Sequence, residues 1–171
     1  KQDRKEIYRR YASVLPEARR HDLYQRILTD AMFRQPSIEL AERQAWHRPQ
    51  GTFMYRFDWE TPFGGGKLGA IHGLEMAFVF DNLERWGELI GDVESAQPVA
   101  DAMADAWVSF AADGKPSSSG LPEWPTYDAT LRKTMILGND PRIESDPEGV
   151  LRKIWQDALM ERTVPSVTAA R

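Results

Sequence analysis

Apolar positions along the chain follow two periods. Ile7, Tyr8, Tyr11 and Leu15 recur at the three-and-four spacing of one helix face, stop at Pro16 and resume as Leu23, Tyr24, Ile27 and Leu28, which predicts two opening helices. Asp30 to Pro36 predicts a short break, and Ile38, Ala41 and Ala45 predict a further helix ending near His47. From Thr52 to Trp59 the period drops to two. Phe53, Tyr55, Phe57 and Trp59 share one face, and Thr52, Met54, Arg56 and Asp58 the other, as in a strand buried on one side. Thr61-Pro62-Phe63-Gly64-Gly65-Gly66 reads as a flexible loop, and Glu75 to Phe80 as a short buried helix. Val99, Met103, Trp107, Phe110 and Ala111 form a helical stripe opposite Asp101 and Asp105, closed by Gly114 and Pro116. Thr134 to Leu137 predicts a second strand. Asp146-Pro147-Glu148 predicts a helix start with proline in the first helical position, followed by an apolar face of Val150, Leu151, Ile154, Trp155, Ala158 and Leu159. The tail after Arg162 is expected to fray.

Composition changes this picture in one respect. The 171 residues are 42% hydrophobic and include six Trp, seven Phe and five Tyr, enough for one core and therefore one domain or part of one. Two strands among five or six helices do not make a self-sufficient sheet. An aromatic strand such as Phe53 to Trp59 needs neighbours on both edges, so the missing strands are expected upstream. The chain opens without an initiating methionine and reads as a processed or excised piece.

Charge narrows the partners. A net charge of −4 disfavours a dedicated nucleic-acid binder. Within the first twenty residues Lys1, Arg4, Lys5, Arg9, Arg10, Arg19 and Arg20 outnumber Asp3, Glu6 and Glu17. They interleave with apolar residues at helical spacing, which favours a solvated helix face over a phosphate-binding patch. The absence of cysteine excludes disulfides, zinc–thiolate sites and cysteine nucleophiles. No apolar run approaches the ~20 residues of a membrane span.

Candidate chemistry centres on His72, a lone imidazole among glycines between two apolar stretches. Its ordinary pKa near 6.5 makes it a neutral base at physiological pH, yet position alone favours a satisfied, partly buried side chain over a catalytic one. His72 and Glu75 could share a helix face, but a single pair does not make a metal site, and His21 and His47 read as surface or helix-end residues. Gly64-Gly65-Gly66-Lys67 fails as a nucleotide loop, since Leu68 stands where Ser or Thr should hold magnesium. No metal and no cofactor are expected. No Gly-x-Ser-x-Gly occurs, and Ser117, Ser118 and Ser119 fall in a loop that reads as a spacer.

The string Gly69-Ala70-Ile71-His72-Gly73-Leu74-Glu75-Met76-Ala77-Phe78-Val79-Phe80 closely resembles the histidine motif of type B carboxylesterases, the family of the bacterial para-nitrobenzyl esterases and the cholinesterases. Asp30, Phe33 and Pro36, then Met54 to Asp58, Trp107 to Pro116 and Trp124 to Tyr127 resemble further family segments in the same order. The resemblance implies an α/β class: residues 1–171 form the C-terminal portion of a single α/β-hydrolase domain, helix-rich, with the last few strands of its sheet. It implies a serine–acid–histidine triad in chain order, of which this chain supplies His72. The nucleophile, acid and oxyanion donors are expected in the missing N-terminal portion, which becomes the chain's partner alongside a small-molecule ester. Glu75, Gly69 and Gly73 are the supporting candidates, Glu75 through a hydrogen bond or helix contact and the glycines by letting backbone bend around the imidazole. No nucleic-acid or membrane partner is implied. A cysteine-free chain fits a bacterial, cytoplasmic setting, with secretion left open. Alone, the chain is expected to be inert. Thioester or lactone hydrolysis would use the same His72 chemistry. The competing reading is a non-catalytic, helix-rich interaction domain derived from a hydrolase, whose mark would be a closed core rather than open sheet edges.

Overall fold

The fold comes from a computed structural model that describes residues 2–163, with side chains from 4 to 158. Contacts divide the chain into two compact units, residues 1–40 with 148–171, and residues 41–147.

The first unit is helical. Helices α1 (Gln2–Val14) and α2 (Arg20–Thr29) form on the two expected apolar faces, and α2 continues through a π-helical turn, Asp30–Arg34, into α3 (Gln35–His47). The expected break between Asp30 and Pro36 is therefore corrected. Proline has no N–H and its ring crowds the carbonyl four residues back, and here the helix widens instead of ending. The Gln35 N–H bonds to the Asp30 carbonyl, five residues back.

α6 (Gly149–Thr163) starts later than predicted. Asp146 and Glu148 both take left-handed backbone (φ 48° and 55°), so Pro147 lies in a turn rather than in the first helical position. Leu151 and Ile154 are buried with Ile7, Tyr11 and Leu23, whereas Val150, expected on that face, is exposed. Of the tail expected to fray after Arg162, Thr163 is the last residue of α6, and residues 164–171 lie outside the described residues.

Tyr11 is fully buried in this core. Its hydroxyl donates to Asp30 Oδ2 (2.5 Å) and accepts from Trp155 Nε1 (2.5 Å). Asp30, also fully buried, has Arg34 at 3.6 Å and Arg26 at 4.0 Å, and both arginines also pair with Glu148. Burial and then the Asp30 carboxylate push the Tyr11 phenol far above its ordinary value of 10.0. The folded state thus holds this proton where the unfolded chain releases it, so the contribution is complete below about pH 10 and declines above it. Alkaline denaturation monitored by circular dichroism is expected to show stability falling above pH 10, with a shallower slope in Tyr11→Phe. An unchanged slope would disprove the linkage.

The second unit holds the sheet. Strand β1 (Tyr55–Phe57) pairs in parallel with β2 (Lys133–Leu137), which pairs antiparallel with β3 (Arg142–Ser145). Paired strand spans only part of Thr52 to Trp59, yet the alternation holds. Phe53, Tyr55, Phe57 and Trp59 all face one core, while Arg56 and Asp58 on the other face form a two-bond ion pair (2.7 and 2.6 Å). Met135, Ile136 and Leu137 of the central strand are fully buried, which is why β2 reads as an unbroken apolar run. β3 carries the Arg142–Glu144 pair, polar chemistry typical of an outer strand.

Helix α4 (Glu75–Val79) follows the glycine-rich loop as expected, and α5 (Val93–Asp113) is longer than its stripe suggested. The Asp92 side chain caps α5 by accepting from the Glu94 N–H (3.1 Å), and Pro98 sits inside the helix. The buried face of α5, from Ala96 to Ala106, joins the β1 aromatics and Phe78 of α4 in the main core.

Candidate active site: the turn carrying His72

His72 lies in a turn that leads into α4, at the end of a loop that leaves β1. Both ends of this loop are fixed. The Thr61 N–H donates to the Gly69 carbonyl (3.0 Å), and the buried Thr61 hydroxyl donates to the Leu89 carbonyl (2.6 Å) and accepts from the Phe63 N–H (3.2 Å). Beyond the loop, Ile71 packs on the core and Leu74 is fully buried, with the Leu74 N–H bonded to the Ile71 carbonyl (3.3 Å). His72 stands between these two anchors and is exposed. The arrangement presents an imidazole outward on a short, pinned stretch of backbone.

The flanking glycines have a backbone reason. Gly69 has φ 61° and Gly73 φ 86°, conformations that L side chains adopt at a cost of roughly 1–3 kcal/mol. Nothing lies within 4 Å of where a Cβ would stand at either position. The dihedral, not crowding, selects glycine here.

Glu75 is the first residue of α4 and is half-buried. Burial raises the pKa of the Tyr55 phenol, and the nearby Glu75 carboxylate raises it further, so Glu75 is electrostatically coupled to the aromatic layer of β1. That non-local coupling had no signal in the sequence. Thr61 was equally silent, since its role depends on Leu89, 28 residues away.

Other candidates resolve into structure. In the Gly64–Lys67 loop the Gly65 and Gly66 amides both bond to the Pro62 carbonyl (3.1 and 3.2 Å), so they are turned inward and do not form a phosphate cradle. Ser117 Oγ lies 2.9 Å from Ser109 Oγ, and Ser118 donates to Asp105 (3.3 Å) and accepts from the Gly120 N–H (3.2 Å). These hydroxyls fasten a turn after α5. His21 and His47 are exposed, His47 as the last residue of α3. No helix among the described residues is long and apolar enough to cross a membrane.

Helices packed on a sheet with a parallel strand pair are the architecture of an α/β fold, and solved structures place it in the class of the α/β-hydrolase esterases. A Geobacillus stearothermophilus carboxylesterase superposes with a TM-score of 0.73 at 35% identity, covering 89% of this chain and 32% of that one. The chain belongs to the carboxylesterase family, whose sequence profile matches residues 2–155. It is 30% identical over 154 residues to the para-nitrobenzyl esterase of Bacillus subtilis, covering 87% of this chain and 30% of that protein. It is 33% identical over 118 residues to the phenmedipham hydrolase of Pseudarthrobacter oxydans, covering 67% of this chain and 24% of that protein. The chain thus spans less than a third of the length of these relatives.

Proposed function

We propose that this chain is the C-terminal portion of a serine carboxylesterase and supplies the histidine of its triad. The observation that carries the reading is the exposed His72, held between the half-buried Ile71, the buried Leu74 and left-handed glycines, in a chain of the carboxylesterase family. In the proposed reaction an upstream serine hydroxyl attacks the ester carbonyl while His72 takes its proton. The imidazolium then protonates the departing alkoxide as the ester C–O bond breaks, leaving an acyl-serine and a free alcohol. His72 next deprotonates a water that attacks the acyl-serine, and the proton returns to serine as the carboxylic acid leaves. An upstream acid would orient the second imidazole nitrogen, and Glu75 would act from behind the turn.

Two features support a partner polypeptide over a closed interaction domain. Among the described residues β1 is paired on one side only, and Phe63, Leu68, Met76 and Phe80 around the His72 turn are exposed. The test is para-nitrophenyl acetate hydrolysis by the purified 171-residue chain. The expected rate is that of buffer containing an equal concentration of free imidazole, because nucleophile and oxyanion donors are both missing. Faster turnover that disappears in His72→Ala would overturn the proposal.

A further inference from the structure

The first unit contains a cavity of about 350 Å³ lined by Arg4, Lys5, Tyr8, Arg9 and Arg20. At 100° per residue, the four residues on α1 fall within an arc of about 140°, so one face of the helix supplies three cations and a phenol ring. Arg20 is the first residue of α2, a ten-residue helix whose N-cap, Arg19, makes no side-chain capping bond. Cations at a helix start oppose its dipole. Asp22 is the acid in that first turn, and Arg19 engages it through two hydrogen bonds (2.8 and 3.0 Å).

Ion pairing does not account for this wall. Glu6 is shared between Arg9 (3.2 Å) and Arg10 (3.0 Å), and Arg10 also reaches Asp157 (3.6 Å). Among the described residues no carboxylate lies within 4.0 Å of the cationic groups of Arg4, Lys5 or Arg20. A chain of net charge −4 therefore gathers four cations on one cavity with, among the described residues, a single shared carboxylate beside them. Their aliphatic stems and the Tyr8 ring give the cavity an apolar lining as well.

We propose that this cavity binds a small organic anion carrying two or more negative charges on phosphate groups. Guanidinium forks match phosphate oxygens two at a time, an anion at the α2 start relieves the unfavourable dipole, and the volume admits a body larger than bare phosphate. The cationic groups are solvent-exposed, so a ligand reaches them without rearrangement of the helices. This site is independent of the ester chemistry at His72.

The test is calorimetric titration of the chain with pyrophosphate at about 0.1 M NaCl, alongside the double variant Arg4→Gln/Arg20→Gln and a remote control, Arg85→Gln. The expected result is saturable one-to-one binding with Kd below about 1 mM, weakened at least tenfold in the double variant and unchanged in the control. Lys5→Gln, measured separately, is expected to weaken binding about threefold. All these side chains are exposed, so equal thermal melting of the variants is expected and verifies that binding alone has changed. No saturation up to about 10 mM, or an equal loss in Arg85→Gln, would overturn the proposal. So would binding to phosphatidylglycerol vesicles without binding of pyrophosphate, which would identify a membrane-facing surface instead.

Discussion

Replacing His72 with alanine in the intact protein is expected, from its proposed role as the triad base, to lower kcat for para-nitrophenyl acetate by a factor on the order of 10⁴ or more. That is about 5 kcal/mol of transition-state stabilisation. KM should move little, because in the proposed reaction the imidazole acts on the serine proton rather than on ground-state binding of the ester. Folding should be almost untouched. His72 is exposed on a turn whose position is set by Ile71, Leu74 and the Thr61–Gly69 hydrogen bond, so the change in stability should stay within about 0.5 kcal/mol. Steady-state kinetics and thermal melting of the same preparation separate the two quantities. A tenfold loss with unchanged melting would remove His72 from the triad and require a different base.

The second large effect concerns the support behind that turn. Phe78 of α4 is fully buried, with ring centroids 5.1 Å from Phe57 and 5.2 Å from Trp59. Phe78→Ala is expected to cost about 3–5 kcal/mol, the lost transfer energy plus an unfilled cavity. Against a typical domain stability of about 5–15 kcal/mol, that is enough to unfold much of the population. Phe78→Leu, which keeps most of the volume, should cost distinctly less. Urea denaturation followed by tryptophan emission measures both, since Trp59 reports on the same cluster. A cost below about 1 kcal/mol for the alanine variant would show that α4 does not depend on this ring for its place.

The main core was legible wherever burial followed a local period. Alternation placed Phe53, Tyr55, Phe57 and Trp59 on one face, and the apolar run Thr134 to Leu137 marked a strand, which the structure shows to be buried on both sides. Three elements escaped for physical reasons. β3 is short and charged, and its strand character comes from pairing with β2 rather than from its own residues. The turn at Asp146 and Glu148 places non-glycine residues at positive φ, a conformation Asp tolerates but Glu does not favour, and Asp before Pro equally suits a helix cap, so Pro147 looked like a helix start. Pro36 looked like a terminator because the remedy, a widened turn, depends on the surrounding helix.

The candidate site divides in the same way. His72 and its glycines are contiguous in the chain and could be read there, the glycines from the tight path of the backbone. The Thr61 anchor and the coupling of Glu75 to Tyr55 join distant residues, so only the folded structure reveals them.

The widened turn at Asp30–Arg34 also bears on how this chain tolerates changes in length. A π-turn holds one residue more than an α-turn, so deleting a residue there would close it to an ordinary α-turn and leave the helix beyond it near its present phase. Gln35 and Ile38, both now buried, would keep their side of the helix. The same deletion in a regular turn would rotate everything after it by about 100°, so the widened turn is slack in chain length that the following helix does not feel.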